Sequence, residues 1–342
     1  MQPIHTLHDF FARTGAEVRL YHMGRRVEPC PLDALSRFEE GAIAWPFPWQ
    51  GQARLGIVFR IGDLDDPLIW FLALPLDEQG QLVPPMRDAF LQRLLVTLGR
   101  NVDRVGREAR NGDEIENLMH DNPLAFTPSL SFQAMLHAYA TRDIGKPASP
   151  HLEPVEAYLS GQEMDWQFLG LQGLADFTVR LDEEAARRLA ARLPSLPDEV
   201  LNSLCYCLEH LAVSDTLGMA LRERGEQAAV MGRLETLCAC VRAVSGADEA
   251  IAGAWFDDLL TDPAACGPDL LAAIAGRGWM HLEDGQRLPC FLTRLAQQPN
   301  TDFAAVARDL ALIPRLRLPV LMALREAGPD TPIGQRLAGL GQ

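Results

Sequence analysis

A segment in the second half of the chain recurs at a fixed step, and that step constrains the fold more than any other feature. Leu201-Asn-Ser-Leu-Cys205-Tyr-Cys207-Leu-Glu-His-Leu211 matches Leu234-Glu-Thr-Leu-Cys238-Ala-Cys240-Val-Arg-Ala-Val244, displaced by 33 residues. The step extends both ways. Leu171, Leu204, Leu237, Leu270 and Phe303 form one column, Leu174, Cys207, Cys240, Ala273 and Val306 a second, and Ala175, Leu208, Val241, Ile274 and Ala307 a third. Relative positions 0, 3 and 4 share one face of a helix. A unit of this length has room for two helices, the first carrying the columns and the second following a break, at 182–193, 215–224, 248–260, 284–296 and 316–327. Helix pairs that cannot bury their own apolar faces stack on their neighbours.

The pattern looks like a degenerate HEAT-type α-solenoid, although its unit is shorter than is usual for such arrays; a compact helical bundle is the alternative. No strand is expected after residue 153. Ser195 ahead of Pro197-Asp198-Glu199 starts one helix, and Ser214 ahead of Asp215, with Gly225 closing, brackets another. Glu235 and Arg242 flank the column-bearing face and are expected at the surface.

The first hundred residues read differently, as an α+β domain with a small antiparallel sheet. A short helix over 4–13 stops at Gly15, a hairpin turns around Met23-Gly24, and another short helix covers 32–40. Residues 54–61 and 68–76 form an antiparallel pair across a turn cluster. Ile69-Trp70-Phe71-Leu72-Ala73-Leu74 is apolar at every position, which predicts a central strand covered on both faces. Pro84-Pro85 opens a long helix whose polar continuation runs to about residue 116. The domains are therefore drawn at 1–110 (α+β), 111–150 (a connecting segment rich in proline) and 151–342 (all-α helical repeat).

Charge narrows the partners. The 342 residues carry 31 Lys+Arg against 46 Asp+Glu, a net of -15, and the stretch 147–342 holds 16 arginines against 27 acids, or -11. Attraction to nucleic acid or to an anionic membrane works the wrong way, whereas a basic protein partner is favoured. No uninterrupted apolar run of about 18 residues and no signal peptide are present, so a cytoplasmic protein is expected. Only Lys146 stands beside 30 arginines, a bias that fits a GC-rich coding sequence and from which no mechanism follows.

Chemistry is hard to find. Cys205-x-Cys207 and Cys238-x-Cys240 invite a zinc site, but helix residues two apart point about 200° from each other, so core packing is the better reading. His5 and His8 lack a third ligand, and Asp63, Asp65 and Asp66 lack the glycine and glutamate of a calcium loop. No metal, cofactor or catalytic residue is assigned. Trp45, Phe47 and Trp49 sit in a proline-rich loop that either closes the N-terminal core or docks a partner. Asp77 and Glu78 leave the apolar strand near the Gly24-Arg25-Arg26 turn, where an Arg-carboxylate pair or a ligand pocket would form. His120 and His137 complete the candidate set.

The segments Leu20-Tyr-His-Met-Gly-Arg-Arg-Val27, Trp45-Pro-Phe-Pro48 and Ile69-Trp-Phe-Leu-Ala-Leu-Pro-Leu-Asp-Glu-Gln-Gly80, with Asp121-Asn-Pro123 and Phe126-Thr-Pro128, resemble an uncharacterised family of proteobacterial proteins of about this length. The resemblance covers nearly the whole chain and implies a bacterial cytosolic origin and no activity. The functional expectation is a protein-protein interaction or scaffold protein with an acidic helical-repeat surface. The alternative is an enzyme or small-ligand module with a cleft site between the domains, drawing on Arg25, Arg26, Asp77, Glu78, His120 and His137. Oligomeric state is left open.

Overall fold

The computed structural model describes residues 4–61, 66–97, 118–120 and 122–340. The expected helical continuation to residue 116, and Asp63, Asp65 and Asp121, lie outside them. The chain divides into two compact units, residues 1–132 with 312–314, and residues 133–311 with 315–342.

In the first unit α1 (Leu7–Thr14) ends at Gly15, whose φ of 65° favours glycine, and β1 (Glu17–His22) turns back into β2 (Glu28–Cys30). Helix α2 (Leu32–Glu39), β3 (Gln52–Arg60), β4 (Leu68–Pro75) and α3 (Pro84–Thr97) follow. The four strands form one antiparallel sheet in the order β2-β1-β3-β4, with Leu20 opposite Ile57 and Ile57 opposite Trp70. Phe11, Phe59, Trp70 and Phe90 pack ring to ring at centroid distances of 5.2, 4.6 and 5.5 Å along that series, the centre of this core. Glu39 ties it together. Its carboxylate accepts the N–H groups of Leu7 and His8 (2.8 and 3.0 Å), the first orphan donors of α1, and the Arg87 guanidinium at 2.7 Å.

The apolar strand is not central, which corrects the expectation. β4 is the edge of the sheet. Trp70, Leu72 and Leu74 enter the core, while Ala73 donates its N–H to the Leu124 carbonyl (2.7 Å) and Phe71 meets Phe126 at 5.9 Å. Irregular chain over 122–126 covers the edge, so β4 is apolar on both sides without a second strand beside it.

The second unit is helical throughout its described residues: α4 (Leu130–Asp143), α5 (Leu152–Leu159), α6 (Leu171–Val179), α7 (Glu183–Arg192), α8 (Asp198–Leu208), α9 (Asp215–Val230), α10 (Leu234–Val244), α11 (Ala252–Thr261), α12 (Pro268–Arg277), α13 (Arg287–Gln297), α14 (Phe303–Ala311), α15 (Pro314–Glu326) and α16 (Pro332–Leu340), with short 3-10 turns between some of them. The three columns fall on α6, α8, α10, α12 and α14. Thirteen of their fifteen side chains are buried, and Leu171 and Val306 are half-buried. Successive column helices pack together from α6 to α12, as do the intervening helices from α7 to α13.

Gly225 does not end α9, which continues to Val230. A Cβ on Gly225 would lie 2.5 Å from the Trp255 ring and 3.0 Å from the Cys240 Cβ, so the glycine serves close helix packing rather than termination. Arginine also does more than coding bias predicts. Arg242 and Arg277 both bind Glu209, Arg287 binds Asp257 with two nitrogens at 2.8 Å, and Arg294 donates to the Leu260 and Thr261 carbonyls at the end of α11. These bonds span 30 to 68 residues of sequence and join neighbouring helix pairs, a use that suits the multi-donor guanidinium fork.

Candidate functional site

The turn after β1 and the loop over 45–49 form one cluster. Trp45 is fully buried, 4.9 Å from Phe38 and 4.8 Å from the ring of His22, which also meets Phe47 at 4.7 Å. Gly24 permits this approach, because a Cβ there would lie 2.9 Å from the Trp49 Cβ. Arg25 is buried, donates to the Pro48 carbonyl at 2.9 Å and lies over the Trp49 ring at 5.2 Å. Arg26 is buried as well and reaches Glu28 at 3.7 Å. Burial holds the His22 imidazole down at about 3, keeping it neutral inside the cluster.

The acidic turn comes close without pairing. Trp45 donates its N–H to the Gly80 carbonyl at 2.9 Å, so the two loops touch. The Asp77 carboxylate is exposed and is taken by the N–H groups of Gln79 and Gln81 (2.8 and 2.9 Å), and Glu78 has no partner among the described residues. No Arg-carboxylate pair joins Asp77 or Glu78 to Arg25 or Arg26 among the described residues. His120 and His137 are both exposed, the former in the first unit and the latter in the second.

An open groove of about 530 Å³ lies in the second unit between α5 and α7, with the end of α6 beneath. Helix α5 has only eight residues and stops at Ser160-Gly161, where Gly161 takes a φ of 100°. Gly173 lets α6 abut the start of α5, since a Cβ there would meet the His151 carbonyl oxygen at 2.1 Å. Asp182 caps α7 by accepting the Ala185 N–H at 2.7 Å. Where α7 packs on α9, its other side faces this groove.

The lining is apolar through Phe177, Leu181 and Leu189 and acidic through Glu153 and Glu156, which stand at i, i+3 on α5. Both glutamates are exposed, and their carboxylates have no hydrogen-bond or ion-pair partner among the described residues. The arginines in the lining are committed: Arg180 binds the buried Asp176 at 3.0 Å and Arg188 binds Glu184. The free charge facing the groove is therefore negative, over a surface that is part apolar and part polar, a combination that suits a basic amphipathic segment. Sequence reading passed over this place, because the only local signal is Glu153-x-x-Glu156 on a short helix ahead of a Ser-Gly stop.

Three of the four thiols in the two Cys-x-Cys pairs are core, and Cys238 is half-buried. Cys205, Cys207 and Cys240 are fully buried, and burial pushes the Cys207 thiol up to about 12. Among the described residues no helix is long and apolar enough to cross a membrane. A family model described as a protein of unknown function (DUF3549) matches residues 2–341. No curated protein and no solved structure matches the chain.

Proposed function

The chain belongs to the DUF3549 family, whose description assigns no activity, and we propose from its surface that it works by binding another protein. The helical half is read as a HEAT-like α-solenoid acting as a scaffold in the cytoplasm. Support for the array comes from the burial of the columns at a step of 33 and from helix pairs that pack on their sequence neighbours. The observation that carries the binding function is the groove beside α7, part apolar within and edged by two glutamates whose carboxylates are unpaired among the described residues. Its apolar patch of Phe177, Leu181 and Leu189 beside free carboxylates suits the helix-in-groove mode, in which an amphipathic partner helix supplies anchors at i, i+3 and i+4.

A photo-crosslinking amino acid at Ala157, which lines the groove, tests this against the same probe at exposed Glu223 on α9. Protein adducts are expected from position 157, lost on Glu153→Arg with Glu156→Arg. Adducts equal at both positions, or none while a small molecule co-purifies in native mass spectra, would replace protein docking with a ligand site.

A further inference from the structure

We propose that the occupant of the α5–α7 groove is helix α15 of a second copy of the chain. The inference rests on reading the groove as a protein-docking site. Helix α15 buries Leu316 and Val320 and turns Leu318, Leu321 and Met322 outward, at 67, 48 and 41% exposure. These three stand at i, i+3 and i+4 and form one apolar stripe, with Arg325 one turn further on. Three arginines and one glutamate make α15 a basic helix in a half-chain of net charge -11. Arg317 and Arg325 have no partner among the described residues, and Arg315 reaches Glu283 at 3.2 Å.

Apolar and charged groups thus match from opposite sides. The groove offers apolar surface with free Glu153 and Glu156, and α15 offers an apolar stripe with free Arg317 and Arg325. The packing of the helices leaves room for such an occupant. Helices α7, α9, α11 and α13 pack in a row that α16 continues, and the groove is the place ahead of α7 where the short α5 leaves the row open. A helix from another copy fills that place. The contact is heterologous, so copies join head to tail into rings or open chains rather than two-fold dimers.

Sedimentation of the full chain from about 1 to about 100 µM, at low and at high salt, measures the association. Species heavier than the 37.8 kDa monomer are expected to grow with concentration and to weaken in high salt. Glu153→Arg with Glu156→Arg, or Arg317→Glu with Arg325→Glu, should each weaken association about tenfold or more. All four changes in one chain should restore it, which a folding defect could not do, and Leu318→Ser should weaken it with charge untouched. A monomer at every concentration, or association indifferent to both reversals, would overturn the proposal. If such a monomer still gives groove adducts with a different protein, the docking reading survives and only the occupant is wrong; with no adducts, both fail.

Discussion

Arg242 grips the buried carboxylate of Glu209 with two nitrogens, across a separation of 33 residues that equals the displacement between the two matching segments. Arg277, from the next column helix, completes the site at 2.7 Å. Glu209 is 1% exposed, so the pair lies where an unmatched charge is costly. The sequence places Arg242 on a surface helix face, and the fold makes it a staple between helices α8 and α10.

Arg242→Ala should therefore destabilise the second unit by about 3 kcal/mol, less if Arg277 takes up the freed oxygen. Glu235→Ala, on the same helix and solvent-exposed, should cost under about 0.5 kcal/mol. Parallel denaturant titrations check the contrast, and equal costs would show that the staple carries no stability.

Acid should loosen the two units in different pH windows. The folded pKa of His22 is about 3 against an ordinary 6.5, because burial disfavours the cation. An unfolded chain binds the proton more readily, so stability is full above 6.5 and is lost as pH falls toward 3, by roughly 1.4 kcal/mol per unit. Burial by itself would raise Glu209, but Arg277, Arg242 and His210 outweigh it and leave it at about 2 against 4.5. Its contribution is present above 4.5 and is lost as pH falls through 2. Thermal melts between neutral pH and 4.5 should show the first unit weakening first, and His22→Phe should flatten that slope.

Leu237→Ala removes a side chain that is 5% exposed and should cost about 2 to 5 kcal/mol. If neighbour-to-neighbour stacking governs the array, hydrogen exchange should rise in α10 and in α8 and α12 beside it, with the first unit unchanged. Loosening spread evenly over both units would contradict a modular array.

Gly225→Ala forces a methyl group against Trp255 and should cost about 1 to 3 kcal/mol, although alanine favours helices. Gly285→Ala, with nothing within 4 Å of the added carbon, should be far milder. A stabilising Gly225→Ala in thermal melts would mean that α9 and α11 pack less tightly than described.

Local periodicity was enough for several of these features. The buried faces marked by the three apolar columns and the helix starts at Asp198 and Asp215 are set by neighbours within one or two turns, and so were legible. The α1–β1–β2 order and the β3–β4 pairing were legible for the same reason. Other features depend on groups that meet only after folding. Whether β4 is central or at an edge turns on which chain covers it, and there an irregular segment some fifty residues later does so. Arg242 looks like any surface arginine until Glu209 is brought to it. The groove exists because α5 is short while α7 continues the helix row, so its acidic edge comes from a mismatch between elements rather than from a motif. Apolar spacing determines which face a helix buries, and only the tertiary structure decides which charges that burial strands, pairs or leaves open to a partner.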